Sequence, residues 1–444
     1  MAMNVPTLLR ALAISLCCLI CAAPAFTQAD TDKSEVEKRF TQLMAAGERK
    51  QVPWRVVVSK PYLGDFQRLE VYIWVRVSTR ELARRGPQHD LLLIAGVADS
   101  SGQWLPSGGT WVRQSLEQIP TSVSEIPLGV LAFVRPGEYS LGVVLCDDPY
   151  GLCNVTRQSL RVKPLRHDPL PELWKDLPAA EFLGPSESDE DRVVKELNLP
   201  AAPPRSVRVE VLANLTGSEH LPYWINAPCE DDMEWRVGVM PGCMNLPPAR
   251  REPGRYRQYY STPESVLYAL RVLGELRVSS GSLHVTGVET TRRRVLFRED
   301  VDKGLDWSQV RAALKSFNPD TIDLVDLQER RRNASFFREV LAERLTAGDL
   351  ADNTPGDGAP SRPKRVLIVL TGETIFARGT DRKPLRLKES CNCRVYYLRF
   401  ESSRDAWDEL GKVLSALKPR RFVIRNPEDF RKALAEILRD LRQF

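Results

Sequence analysis

The sequence predicts a multidomain chain in which an all-β sandwich precedes an α/β doubly wound domain, its sheet mostly parallel with an antiparallel edge. Three observations lead there. Across residues 54–162, short apolar–polar alternations follow one another with turn residues between them. After Arg205, strand-like runs alternate with segments whose apolar residues recur at helical spacing. Between the two, residues 167–204 turn proline-rich and acidic, the composition of a linker. The expected organisation is an export segment at 1–29, an N-terminal helical segment at 30–51, the sandwich at 52–164, the linker at 165–204 and the second domain at 205–444. Residues 219–261 form an insertion within that last domain.

The chain opens with Arg10, the apolar run "ALAISLCCLICAAPAF" and a small-residue exit at Ala25 or Ala29. One basic residue, a short apolar core and such an exit describe a secretory signal peptide, with cleavage expected after Ala29. A membrane-spanning helix needs about 20 apolar residues, and none is expected in the mature chain. The predicted location is therefore secreted or periplasmic. Cleavage also removes Cys17, Cys18 and Cys21 and leaves an even set of cysteines in three close pairs. Cys146/Cys153 and Cys229/Cys243 close short loops, and each pair is expected to be bridged. For Cys391 and Cys393, one residue apart, a redox pair, a metal ligand pair and bridges to distant thiols all stay open.

The sandwich rests on strands such as "RLEVYIWVRV". It places Leu69, Val71, Ile73, Val75 and Val77 on one side, and Arg68, Glu70, Tyr72, Trp74 and Arg76 on the other. "LLLIAGVADSSGQWL", "RPGEYSLGVVLCDD" and "NVTRQSLRV" continue the pattern, and no helix is expected among them. His89 falls in a polar stretch with no partner in view. This order of strands resembles the immunoglobulin-like domains of secreted bacterial proteins, which implies a spacer or a binding surface.

In the second domain, "SVRVEVLA" reads as a strand and "TPESVLYALRVLGEL" as a helix entered through Thr262 and Pro263. "SLHVTGVE" and "RRVLFRED" read as a hairpin, "DWSQVRAALKSF" as a helix capped by Asp306, and "NASFFREVLAERL" as another helix. "KRVLIVLTGE" has the continuous apolar character of a buried strand. "CRVYYLRF", a helix, "RRFVIRN" and the final helix "PEDFRKALAEILRDLRQF" complete the alternation.

With these pieces in place, residues 205–444 resemble a von Willebrand factor A-type domain through "VRVEVLANLTGS", the hairpin, "VLIVLTGE" and "FVIRNPEDFRKALAEIL". The resemblance implies a divalent-cation site built on an Asp-x-Ser-x-Ser loop, a threonine and a distal aspartate. Here the loop reads Asn214, Thr216, Ser218, and Gly372-Glu373 stands where the distal aspartate is expected. Thr321 is the candidate for the remaining hydroxyl. A hard cation wants oxygen ligands with at least one carboxylate, so the loop is read as degenerate. No cofactor is expected, with Mg²⁺ or Ca²⁺ held weakly at most. Asn154, Asn214 and Asn333 also begin Asn-x-Ser/Thr glycosylation acceptor sequences.

Function follows from inventory. Lys+Arg 63 against Asp+Glu 58 is nearly balanced, and no basic stripe is interleaved with aromatics, so nucleic acid is not an expected partner. No His-Glu-x-x-His, Gly-x-Ser-x-Gly or Walker pattern occurs. The expectation is an exported, non-catalytic binding or adhesion-type protein whose partner is a protein or a cell-envelope component. Tyr223, Trp224, Trp235, Tyr256, Tyr259 and Tyr260 in the insertion are the candidate contacts, being types enriched at interface hot spots. The alternative is an exported enzyme of unrecognised type, thiol-dependent or a carboxylate-based hydrolase.

Overall fold

The computed structural model describes residues 25–119, 123–183, 197–216, 263–301, 305–315, 329–346, 364–372, 374, 383–385, 393–400 and 408–443. Two compact units emerge. Met1–Tyr62, Leu69–Arg166 and Leu177–Lys195 make the first; Leu63–Arg68, His167–Asp176 and Glu196–Phe444 make the second.

The first unit begins with helix α1 (Ala25–Ala45). Strands β1 (Trp54–Val58), β2 (Tyr62–Leu63) and β3 (Leu69–Ser78) follow, then a five-residue helix α2 (Thr79–Ala83) that the strand pattern did not announce. Next come β4 (His89–Ala98), β5 (Trp104–Leu116), β6 (Glu125–Val134), β7 (Gly137–Asp147), β8 (Leu152–Val162) and β9 (Ala180–Leu183). One sheet has the order β1-β3-β6-β9 with β2 on β3; the other has the order β5-β4-β7-β8. Leu69, Val71, Ile73, Val75 and Val77 are all buried, so the period-2 pattern of β3 marks its core face. β9 comes from the proline-rich stretch and pairs with β6, adding a strand to the sheet.

Helix α1 covers the outer face of the second of these sheets. Val36, Phe40 and Met44 pack against Leu92, Ile94, Val144 and Val155, and against the disulfide Cys146–Cys153. The Phe40 ring fills the space over Gly96 and Gly142, where an added Cβ would stand 2.7 and 3.0 Å from its ring atoms. Arg39 completes the seat with an ion pair to Asp148 at 2.7 Å. Burying a side chain of this size stabilises by about 1.5–3 kcal/mol, so these few residues suffice to dock the helix.

The second unit contains β10 (Leu199–Ala201), β11 (Val207–Asn214), α3 (Pro263–Gly274), β12 (Leu276–Val278), β13 (Gly281–Glu289) and β14 (Arg294–Asp300). It continues through α4 (Trp307–Lys315), α5 (Asn333–Thr346), β15 (Lys364–Thr371), β16 (Cys393–Phe400), α6 (Glu409–Leu414), β17 (Arg420–Ile424) and α7 (Pro427–Leu441). Among the described residues β10 pairs with β12 alone; the six-stranded sheet has the order β14-β13-β11-β15-β16-β17. Phe337, Val340 and Leu341 of α5 and Leu410, Val413 and Leu414 of α6 meet Leu212, Leu367, Val369 and Tyr397 in one buried cluster. Asn426 caps α7 by accepting from the Asp429 N–H at 2.9 Å, ahead of Pro427 and two acidic residues in the first turn.

Two short stretches far back in the chain are clasped to α7. The buried Arg431 makes a forked ion pair to Asp168, Nε–Oδ1 2.6 Å and Nη2–Oδ2 2.8 Å. It also donates to the carbonyls of Leu170 (2.7 Å) and Gln67 (3.3 Å) and lies 4.4 Å over the Trp174 ring. The Trp174 indole donates to the same Gln67 carbonyl at 2.8 Å.

The expected fold class needs correction. Strand outweighs helix, 45% to 29%. With β2 aside, seven neighbouring strand pairs run antiparallel and five parallel. A mostly parallel, doubly wound description of the chain is therefore not kept: the described chain is predominantly β, its first-unit sheets antiparallel and its six-stranded sheet mixed. Continuous runs such as "VLIVL" report burial on both faces but not what covers them. The alternating pattern overstated the helical layers, since α4 spans 9 residues and α6 only 6, against strands of 10 to 13 in the first unit.

Candidate functional site

The loop singled out in the sequence begins where β11 ends. Asn214 and Thr216 are buried there, and three further threonines converge on them: Thr290 after β13, Thr371 at the end of β15, and Thr374. Parallel registers place Asn214 opposite Val288 on one side and Thr371 on the other, so the ends of three neighbouring strands deliver polar groups to one spot.

The Thr216 backbone N–H can only donate, and it points at Asn214 Oδ1 at 3.3 Å, which fixes the amide orientation. Thr216 Oγ1 donates to the same oxygen at 2.5 Å. Asn214 Nδ2 then spends its two hydrogens on Thr371 Oγ1 and Thr374 Oγ1, 3.0 Å each. Thr216 Oγ1 accepts from the Thr290 N–H at 2.7 Å and, its own hydrogen being committed, accepts from Thr290 Oγ1 at 2.7 Å. Thr371 Oγ1 passes its hydrogen to the Gly372 carbonyl at 2.9 Å. Thr290 is held in place by the preceding Glu289, whose buried carboxylate accepts from the N–H groups of Thr291 (2.9 Å) and Arg292 (2.6 Å).

Among the described residues the cluster is a network of neutral groups. The Asn214 carbonyl, where a carboxylate ligand is expected in the resembling family, is engaged twice from within the loop. Both amide hydrogens face the hydroxyls that a cation would need as ligands. The described residues of this loop do not fit a divalent ion, which wants a carboxylate and free lone pairs. What they do instead is satisfy buried polar groups at three strand ends.

Of the other expected site residues, Ser218, Thr321, Glu373, Tyr223, Trp224, Trp235, Tyr256, Tyr259, Tyr260, Cys229, Cys243 and Cys391 lie outside the described residues. Cys146 and Cys153 are bridged, directly opposite each other on β7 and β8. Cys393 is disulfide-bonded. All three glycosylation-acceptor asparagines are inaccessible in the fold: Asn154, Asn214 and Asn333 are 0%, 1% and 2% exposed.

Sequence reasoning missed the partners. Thr290 sits in the turn of the expected hairpin and Thr371 and Thr374 stand on either side of Gly372-Glu373, but nothing in their spacing announces convergence on Asn214. His89 was also misjudged. It starts β4 fully buried, with Nδ1 2.8 Å from Asp147 Oδ2 and Nε2 3.1 Å from the carbonyls of both Leu82 and Gly86. Neither His89 nor Asp147 has side-chain surface in contact with solvent, so the pair ties β4 to the disulfide loop rather than facing a ligand.

Among the described residues no group of three or more His, Cys, Asp or Glu side chains is arranged to hold a metal, and no helix is long and apolar enough to cross a membrane. On β16, the neighbour of β15, burial and the Asp408 carboxylate push the Tyr397 hydroxyl well above its usual range, and it donates to Asp408 Oδ1 at 2.7 Å. It therefore stays protonated as a structural donor.

No family model matches the chain, and no curated protein does. Among solved structures it is similar to a family 123 glycoside hydrolase from Clostridium perfringens, studied for glycolipid glycan hydrolysis. Identity is 8%, coverage 84% of this chain and 72% of that one, and the TM-score 0.22. It is also similar to a glycosyl hydrolase family 2 member from Bacteroides cellulosilyticus DSM 14838, with 8% identity, 83% and 41% coverage and a TM-score of 0.18. Likenesses this slight carry no argument about fold or activity.

Proposed function

We propose that this chain is an exported, non-catalytic binding protein that meets a protein partner or a cell-envelope component at the strand ends of its second unit. The observation that carries this reading is the neutral network around Asn214. Its polar groups are spent on one another, which suits a rigid platform from which the 219–261 insertion departs rather than a reacting centre. On this reading the resemblance to von Willebrand factor A-type loops is one of placement, with hydrogen bonds taking the part of the ion. Export rests on the signal-type N-terminus.

The test is a cross-linking capture from an envelope fraction with the full mature chain, followed by affinity measurement against the captured partner. Replacing Trp224, Trp235 and Tyr256 together by Ala is expected to weaken binding by at least about tenfold, the size of one hot-spot loss, with the melting temperature unchanged. An unchanged affinity removes the insertion from the interface.

A further inference from the structure

The two outer faces of the first unit are treated differently. The face of the β5-β4-β7-β8 sheet is sealed by α1, so Leu92 and Ile94 there are buried. On the outer face of β3 the sequence reads Glu70, Tyr72, Trp74, Arg76, and Tyr72, Trp74 and Arg76 stay partly exposed. The register adds Val57 and Arg55 from β1, and Leu131, Gly129 and Pro127 from β6, to the same face. Tyr62, 41% exposed, extends the row. The rings of Tyr62 and Tyr72 lie within 9° of parallel with centroids 6.2 Å apart; those of Tyr72 and Trp74 lie within 8° at 6.1 Å. The Trp74 benzo ring occupies the space over Gly129, where an added Cβ would come within 2.4 Å of it. Glycine here is what lets the indole settle onto the sheet. Glu70, itself buried, accepts from the Tyr62 hydroxyl at 3.1 Å. Burial and the Glu70 charge push that hydroxyl above its usual range and keep it a donor.

We infer that this row is a glycan-binding strip that takes an extended chain of β-linked pyranose sugars. The face combines aligned aromatic rings, which accept the apolar C–H faces of sugars, with polar groups at both ends. The tyrosine hydroxyls stand at one end, that of Tyr62 bonded to the buried Glu70, and Arg55, Arg76 and Glu125 at the other, with Arg76 3.6 Å from Glu125. Aromatic residues with one apolar and one wet side suit such a half-exposed surface. A purely apolar partner would cover the exposed Arg55 and Glu125 side chains without replacing their water. A sugar chain supplies hydroxyls to both.

The experiment titrates the full, non-reduced chain with chitotetraose by calorimetry and sediments it with isolated peptidoglycan sacculi. Tyr72→Ala is expected to weaken both about tenfold, as the loss of one well-placed ring contact would, and Tyr62→Ala a few-fold. Both variants lie on a solvent face, and matched thermal melts verify their folding. Replacing the 219–261 aromatics is expected to leave glycan binding intact, which separates this strip from the interface proposed above. Retention on sacculi lost in Tyr72→Ala, without binding of the tetramer, supports a strip that needs a longer chain. Absence of binding to both probes, or binding indifferent to Tyr72→Ala and Tyr62→Ala, overturns the inference.

Discussion

Two buried polar sites in the second unit solve the same problem with opposite chemistry. The Arg431 clasp uses a full ion pair, two carbonyls and an aromatic face; the Asn214 cluster uses hydroxyls and one amide. Both are out of water, so each group must find a partner within the protein. The difference lies in what happens when one partner is removed. A lost carboxylate leaves an uncompensated buried charge, whereas a lost hydroxyl leaves a single unmet hydrogen bond.

The largest expected effect follows directly. Asp168→Ala is expected to cost about 3–5 kcal/mol, the usual penalty for breaking a buried ion pair, read as a lower urea midpoint. Adding Arg431→Met should recover a large part of that loss, because the stranded charge is then gone. If the double variant is as unstable as the single one, packing rather than charge holds the clasp.

On the neutral side, Asn214→Ala removes four hydrogen bonds and is expected to cost about 1–3 kcal/mol. Thr290→Val, which keeps the shape but removes one hydroxyl, is expected near the lower end of that range. A loss from Asn214→Ala as large as that from Asp168→Ala would erase the distinction between the two sites. Asn214→Asp sharpens the comparison in another way. It puts a charge where a donating amide faced Thr371 and Thr374, so the hydroxyls must turn to donate. Melting temperatures are expected to fall without metal and to rise with millimolar Mg²⁺, while the native chain shows no such shift. A native chain that Mg²⁺ stabilises equally would restore the cation reading.

The smallest effect is at an exposed cap. Asp306 accepts from the Ser308 hydroxyl (2.6 Å), the Ser308 N–H (2.9 Å) and the Gln309 amide (3.1 Å), which hold its carboxyl below the usual range. A depressed folded-state value means the contribution is complete above the unfolded value and is lost as pH falls through the folded one. The stability gap between native protein and Asp306→Ala should therefore close on acidification. A gap independent of pH would show that the carboxylate's charge does not matter to the start of α4.

Much of this was legible in the sequence, and the reasons are local. The alternation of β3 told which side chains face the core, because a strand has a period of 2 whatever it packs against. The eight-residue stretch "CDDPYGLC" announced its bridge because the loop is short. Asp306 announced a helix start through hydrogen bonds to its own neighbours. Asn214 and Thr216 were found through the likeness of their loop to Asp-x-Ser-x-Ser, a pattern held within five residues.

The remainder was illegible because it depends on partners far apart in the chain. Asp168 lies in a stretch that reads as linker, and only the fold brings Arg431 to it across 263 positions. Thr371 and Thr374 reach Asn214 across 157 and 160 positions, through a parallel register that no turn residue encodes. His89 looked solitary until β4 and β7 paired and set Asp147 beside it.

The sequence by itself determined β3, β4, β7 and β8 of the first unit, the core face of β3 and the short disulfide loop, since each follows from periodicity or proximity along the chain. Tertiary structure alone decided the balance between strand and helix, which threonines meet Asn214, and which sheet face α1 covers. Those outcomes turn on what lies across a face from a residue, and one-dimensional spacing holds no record of that.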